Sequence, residues 1–344
     1  MNPRQTASFL VISLVLFLGC FIDTYADDTS DGKAVALNMA VEFMDHAAAA
    51  FIARDQGWFE DAGLRVRSYE TYASGMALAS ALARGDVQVA YLCLAPAINA
   101  FVNAGVAVKI VAGTHKYGYG LVVDGRRVRQ VEDLRSPGIR LGCVREGGAA
   151  DVLLRRIIDD AGLETDKALG HVRRMSPAQL LLALKTGQLD AAALPEQWAT
   201  MAEASGFKMH LTARDVWPDM QGSVLVVRND LIGTRPETVK QLVALLDRGN
   251  RLIHNDPRAA AEIVSRQMRR IGDENILDSG GTINDLLTPE ILMRSMGRLA
   301  FTTAIDPREV QKTIDYMAGL GYIKKKVAAA ELLDLRFLDN AGVQ

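Results

Sequence analysis

The chain has 344 residues, 49 % of them apolar, and a formal net charge of −2. This length can bury two ordinary hydrophobic cores. A net charge this close to zero argues against the basic field of a nucleic-acid-binding protein. It also gives no indication of an acidic tail. There is no low-complexity run and no internal repeat.

The N-terminal segment differs in kind from the rest. Residues 9–22 are almost wholly apolar and follow Arg4, but a membrane-spanning helix needs about 20 apolar residues. The pattern predicts a signal peptide over residues 1–26 and export of the rest, although an uncleaved anchor is an alternative. Phe17-Leu18-Gly19-Cys20 resembles a lipobox that would lipidate Cys20, whereas residues 24–26 suit ordinary signal peptidase. The expected location is the periplasm or the outer face of the cytoplasmic membrane.

The other two cysteines, Cys93 and Cys143, lie at the ends of strand-like runs and are predicted to be buried free thiols. No C-x-x-C spacing is present and the five histidines are scattered, so the sequence predicts no metal site.

Strands alternate with helices over most of the chain. The first unit has predicted strands over 36–43, 64–70, 86–94 and 106–114, with helices over 46–63, 75–85 and 96–105. A second unit has strands over 138–144, 171–175 and 189–194, with helices over 149–162, 176–187 and 195–206. A strand over 222–231 precedes a mainly helical tail. This alternation predicts parallel sheets covered by helices.

Open parallel sheets bind ligands at the carboxyl ends of their strands. Ser74 and Gly75 begin a helix there, and their hydroxyl and N–H groups suit an anion, unless Ser74 is a plain N-cap. Asp45 and His46 end the first strand and form either a ligand loop or a surface loop.

Two further strand ends carry residues unusual for a core. Gly147, Gly148 and Ala149 open a helix where the backbone can approach a ligand closely. Glu196 follows an apolar strand and predicts a partner, which is a ligand cation, a ring N–H or a protein arginine. The alternative is a solvated carboxylate that stabilises a helix start.

Several stretches resemble one family along nearly the whole exported chain. They include ARDQGWFEDAGLRV, SGMALASALARGDVQVAYLCLAPAINAF and, most specifically, ALKTGQLDAA followed by PEQWA. The chain resembles the periplasmic substrate-binding proteins of ABC transporters for nitrate, sulfonates, taurine, bicarbonate and thiamine-pyrimidine precursors. Gln197 stands where many members have proline.

The resemblance implies an α/β, two-lobed periplasmic-binding-protein type II fold, each lobe a parallel-rich sheet flanked by helices. The first lobe would comprise residues 35–124 and 223–344, and the second residues 125–222. Two crossings, expected near 122–127 and 222–228, would form the hinge. The implied partners are a small-molecule ligand and a membrane permease with its ATPase. The expected form is a monomer without cofactor, catalysis or nucleic-acid partner.

The ligand-binding residues predicted from the strand ends and from the resemblance are Asp45, His46, Tyr72, Ser74, Gly75, Pro96, Tyr117, Tyr119, Gly147, Gly148, Ala149, Glu196, Trp198, Asp219 and Gln221. The aromatic side chains, the anion site at Ser74 and Gly75, and the acidic Glu196 together favour a small organic anion or zwitterion as the ligand. A flat heterocycle or aromatic acid is the alternative ligand, and sensing for a separate signalling partner is the alternative role. A pyrimidine-synthase-like enzyme is disfavoured because the chain lacks the cysteine-rich iron motif of the fungal members.

Overall fold

A computed structural model describes residues 35–272 and 283–338, which form two β-sheets flanked by helices. The predicted signal peptide and Cys20 lie outside the described residues. Within the described part of the chain, no helix is long and apolar enough to cross a membrane.

The strands follow in chain order. They are β1 (Val35–Glu42), β2 (Leu64–Tyr72), β3 (Val89–Cys93), β4 (Val108–Lys116), β5 (Tyr119–Val123), β6 (Leu141–Cys143), β7 (Arg173–Arg174), β8 (Ala191–Pro195), β9 (Lys208–Thr212), β10 (Gln221–Arg228) and β11 (Ala300–Phe301).

The α-helices occupy the segments between and after the strands. They are α1 (Ala48–Asp55), α2 (Trp58–Asp61), α3 (Gly75–Arg84), α4 (Leu94–Val102), α5 (Ala149–Asp160), α6 (Thr165–Leu169), α7 (Pro177–Lys185), α8 (Glu196–Ala204), α9 (Ala213–Val216), α10 (Asn229–Thr234), α11 (Pro236–Asn255), α12 (Pro257–Ile271), α13 (Pro289–Met296), α14 (Pro307–Gly319) and α15 (Ala329–Leu332).

The first sheet has the order β11-β4-β10-β3-β1-β2 among the described strands. Strand β1 pairs in parallel with β2 and β3, while β10 runs antiparallel between β3 and β4. Strand β3 is buried along its whole length, as its apolar run predicts for the interior of such a sheet.

The second sheet has the order β7-β6-β8-β5-β9 in the same described part of the chain. Strand β6 pairs in parallel with β7 and β8, and β5 pairs antiparallel with β8 and β9. Each sheet therefore contains parallel pairs and an antiparallel strand near a crossing, and the predicted α/β class is confirmed.

The chain passes between the sheets twice. Strand β4 ends in the first sheet and β5 begins in the second, so the first crossing is Tyr117–Gly118. The second is residues 217–220, between α9 and β10. Both crossings precede the expected positions at 122–127 and 222–228. Strands β5 and β10 are apolar runs, and periodicity alone does not show which sheet an apolar strand joins.

The first crossing has an unusual backbone. Tyr117 has φ of 66° and Gly118 has φ of 92°. A positive φ is uncommon for a residue with a side chain. A Cβ on Gly118 would lie 2.7 Å from His46 Nε2 and 2.8 Å from His115 Cε1, so this position must be glycine.

The tail packs against both lobes. Helix α14 packs on α4, and Leu333 forms a bridge to Ile110 of β4, which returns the chain to the first sheet. Helix α13 packs on α8, which follows strand β8 of the second sheet. The tail thus contacts helices that flank both sheets.

Candidate ligand-binding site

A small cavity of about 40 Å³ lies between the ends of the two sheets. Six of the predicted ligand-binding residues line it: Ser74, Gly75, Pro96, Tyr119, Gly148 and Ala149. The lining combines residues that follow strands of the first sheet with residues that follow strands of the second. The cavity therefore occupies the cleft in which the sequence places a ligand.

Five helices begin at this cavity. Ser74, Cys93, Gly148 and Pro195 are the N-caps of α3, α4, α5 and α8, and Pro177 is the first residue of α7. All five residues line the cavity. A helix N-terminus carries free N–H groups and a partial positive charge, so their convergence makes the cavity favourable for negative charge.

Ser74 acts as the N-cap of α3. Its hydroxyl oxygen accepts a hydrogen bond from the N–H of Ala77 at 3.4 Å, a long and weak bond. Because the side chain also lines the cavity, the N-cap role and contact with a ligand are compatible.

A buried carboxyl group, that of Glu42, lies against two residues of the cavity lining, Cys93 and Gly75. It accepts hydrogen bonds from the Cys93 N–H at 3.1 Å and from the Cys93 thiol at 2.8 Å. A Cβ on Gly75 would overlap Glu42 Oε1, so the carboxylate lies against the first residue of α3. Burial raises the pKa of Glu42 to about 7, although the hydrogen bonds from Cys93 oppose the shift. The sequence signal was a single acid within the apolar strand 36–43.

His46 lies behind the cavity wall. Its Nε2 donates to the carbonyl oxygen of Gly118 at 2.8 Å. Its ring packs on His115 at 4.3 Å between centroids and on the edge of Tyr119 at 5.2 Å. Burial, followed by the neighbouring His115, lowers the pKa of His46 well below its usual range, so the imidazole is neutral.

Asp45 is also buried and does not line the cavity. Its N–H donates to Gln197 Oε1 at 2.6 Å, and its carboxylate accepts from the hydroxyl of Ser295. Burial raises the pKa of Asp45 to about 7, and the charge of Glu196 contributes to this rise. Asp45 therefore contacts α8 beside the second sheet and α13 of the tail.

The partner of Glu196 is a protein arginine, one of the alternatives that the sequence left open. Glu196 Oε1 lies 2.9 Å from Arg298 Nη1 and accepts from the hydroxyl of Thr200 at 3.2 Å. Burial raises the pKa of Glu196 and the bond to Arg298 lowers it. Glu196 and Tyr117 line a second cavity of about 190 Å³ at the first crossing, rather than the cleft cavity.

Three more predicted ligand residues contact other side chains of the protein. The Tyr72 hydroxyl donates to Glu70 at 2.5 Å, and the Trp198 ring is buried against Phe43 with centroids 6.2 Å apart. Asp219 is exposed and pairs with Lys116 at 3.2 Å.

Gln221 and Gly147 complete the predicted set. The Gln221 amide donates to the carbonyl oxygens of His115 and Ser223, both at 3.0 Å, within the first sheet. The Gly147 carbonyl oxygen accepts from Asn99 Nδ2 at 3.2 Å, which joins the lobes beside the cavity.

Arg145 is the cationic side chain that lines the cavity. It is exposed and follows β6, so it stands at the mouth of the cleft. The predicted set omitted Arg145 and Cys93, because an exposed arginine and a buried thiol are both ordinary at strand ends. Cys93 and Cys143 are both buried and free, as predicted.

Comparisons with known proteins agree with this architecture. A family model described as the NMT1-like family matches residues 30–267. A protein of Brucella abortus (strain 2308), named provisionally as a binding protein, is 26 % identical over 294 residues, covering 83 % of this chain and 86 % of the relative.

Solved structures show the fold. The alkanesulfonate-binding protein SsuA of Xanthomonas axonopodis pv. citri, bound to MOPS, is similar with a TM-score of 0.71 and 16 % identity. That match covers 88 % of this chain and 99 % of the other. The periplasmic nitrate-binding protein NrtA of Synechocystis PCC 6803 has a TM-score of 0.69 and 15 % identity, covering 87 % and 85 %. The predicted periplasmic-binding-protein fold is confirmed.

Proposed function

This chain belongs to the NMT1-like family, and we propose that it is the extracytoplasmic solute-binding component of an ABC importer. The proposed ligand is a small organic anion or zwitterion, held in the cleft between two closing lobes. The observation that carries this proposal is the start of five helices at one cavity.

The chemistry of the cavity favours a negative group on the ligand. Backbone N–H groups at helix starts bind carboxylate, sulfonate or phosphate oxygens. Arg145 at the mouth adds a full positive charge. These partners suit the negative group of an anion or of a zwitterion.

The relatives support the same class of function. One structural neighbour is named for alkanesulfonate binding and another for nitrate binding. In this reading the ligand stabilises the closed form, and the closed form presents both lobes to a permease and its ATPase. The residues at the cavity then bind and orient the solute and carry out no reaction.

A thermal-shift screen tests the proposal. Protein purified from cells that express the full chain is screened against taurine, alkanesulfonates, nitrate, bicarbonate, aromatic carboxylates and aminopyrimidines. A ligand at 100 times its Kd stabilises the folded state by about 2.7 kcal/mol. We expect a shift with an anionic or zwitterionic compound, and a Kd about tenfold higher in Arg145→Met.

The matched control is Arg258→Met, because Arg258 is a largely exposed arginine that pairs with Glu262 away from the cleft. It should leave the Kd unchanged. Absence of a shift with every anion and zwitterion, or an equal loss of affinity in both variants, contradicts the proposal.

A flat heterocycle is the second candidate ligand, because the ring of Tyr119 lines the cavity. Aromatic side chains at a pocket commonly contact planar ligands. A shift with neutral aminopyrimidines alone would select this candidate over the anion.

A further inference from the structure

Three metal-binding side chains meet beside the cleft cavity. Glu42 ends β1, His46 lies in the short 3₁₀ turn Asp45–Ala47, and Cys93 ends β3. One donor atom from each lies within 4.8 Å of the others, and all three residues are buried. No spacing in the sequence indicates this cluster, because its members come from segments up to 51 positions apart.

The imidazole of His46 is already arranged as a metal ligand. Its Nε2–H donates to the Gly118 carbonyl oxygen, which leaves Nδ1 as the ring nitrogen that can bind an ion. That atom faces Cys93 Sγ at 3.9 Å and Ser223 Oγ at 3.4 Å. Metal-binding histidines usually donate their other ring N–H to a carbonyl or carboxylate, which fixes ring orientation.

The spacing of these atoms suits tetrahedral coordination. With Zn–S of about 2.3 Å and Zn–N or Zn–O of about 2.0–2.2 Å, ligand atoms lie about 3.4–3.6 Å apart. Cys93 Sγ is 3.6 Å from Ser223 Oγ and 3.9 Å from His46 Nδ1. The Glu42–Cys93 separation of 2.8 Å is shorter, because the thiol donates a hydrogen bond that an ion would replace.

Within residues 35–272 and 283–338, no ion pair involves Glu42, and a buried carboxylate without a cation is costly. A divalent ion bound to the carboxylate and to the Cys93 thiolate would give a neutral centre, with the thiol proton released to solvent. Thiolate, imidazole and carboxylate together favour Zn²⁺ and similar ions over Mg²⁺ or Ca²⁺.

We propose that Glu42, His46 and Cys93 bind one divalent transition-metal ion, of the Zn²⁺ class. Ser223 Oγ or a group in the cavity provides the fourth ligand. Because Cys93 lines the cavity, the ion lies at the inner wall of the cleft. This site goes beyond the proposed solute binding and does not depend on it.

Metal titration tests the site directly. Full-chain protein is purified, stripped with a chelator, and titrated with ZnCl₂ in competition with a chromophoric chelator, and with CoCl₂ by absorption spectroscopy. We expect one equivalent of either ion and a thiolate-to-cobalt charge-transfer band. Cys93→Ser should remove the band, and Glu42→Gln should raise the Kd for Zn²⁺ at least tenfold.

Cys143→Ser is the matched control, because Cys143 is the other buried free thiol and lies in the second sheet. It should keep the band and the affinity. Absence of a bound equivalent in the stripped wild-type protein, or equal binding in Cys93→Ser, overturns the proposal. If Cys93→Ser does not fold, Glu42→Gln decides, and an unchanged Kd in that variant overturns it. The solute screen is repeated on the stripped protein, so that a failure of metal binding and a failure of solute binding are distinguished.

Discussion

At the scale of single residues, Glu196 is a buried acid whose partner is Arg298 from the tail. Its carboxylate is almost fully buried and contacts Arg298, which is 30 % exposed and also pairs with Glu203 at 2.6 Å. A single guanidinium therefore contacts two acids of α8. Removing one partner from a buried pair leaves an uncompensated charge, which is more costly than losing an exposed pair.

We therefore expect Arg298→Met to lower the free energy of unfolding by about 2–4 kcal/mol. Arg258→Met is the control, because Arg258 is 79 % exposed and pairs with Glu262 at 3.1 Å, so its loss should cost about 1 kcal/mol or less. Urea unfolding measures both. The double variant Glu196→Gln/Arg298→Met should recover part of the loss, and equal losses in the two arginine variants would contradict this account.

At the scale of elements, the start of helix α3 packs against the end of strand β1. Gly75 is the first residue of α3, and a Cβ there would overlap Glu42 Oε1 and lie 2.7 Å from Pro96 Cγ. The absence of a side chain thus lets β1, α3 and α4 meet at the cleft. A larger residue would have to displace the Glu42 carboxylate or the helix.

Gly75→Ala should destabilise the protein by about 1–3 kcal/mol, because the added methyl group overpacks a filled site. Gly233→Ala is the control. Gly233 lies in α10 with open space around its Cβ position, so alanine there should be neutral or stabilising by up to about 1 kcal/mol. Urea unfolding compares them, and a neutral Gly75→Ala would show that Glu42 is not held against α3.

At the scale of the whole molecule, side chains from the tail hold the two lobes together. The Tyr316 hydroxyl donates to Asp159 at 2.5 Å, and the Tyr322 hydroxyl donates to Asp151. Both acids are on α5, beside the second sheet. These charge-assisted bonds join the tail to the second lobe, so any movement of α5 away from the tail would have to break them.

The variant Tyr316→Phe/Tyr322→Phe should therefore shift the ligand-free protein toward an open form, by about 1–3 kcal/mol for each bond lost. Small-angle X-ray scattering should then give a larger radius of gyration than for the wild type. Tyr69→Phe is the control, since its buried hydroxyl has no hydrogen-bond partner among residues 35–272 and 283–338. An unchanged radius in the double variant would show that other contacts maintain closure.

Much of this molecule is determined by local sequence. Alternating strands and helices, the Ser74 N-cap and the glycine at the end of α3 depend on neighbouring residues, so the α/β class and the helix starts were predictable. The cavity residues that were predicted, such as Gly148, are those placed by a strand end followed by a helix start.

The tertiary structure alone decided which distant groups meet. Arg298 pairs with Glu196 across 102 positions, and Glu42, His46 and Cys93 converge from separate segments. The sheet to which β5 belongs also depends on pairing with β8 and β9. Local sequence patterns reflect the backbone preferences and the burial of neighbouring residues. Partners across the fold are set by strand order and helix packing, for which a single sequence contains no local signal.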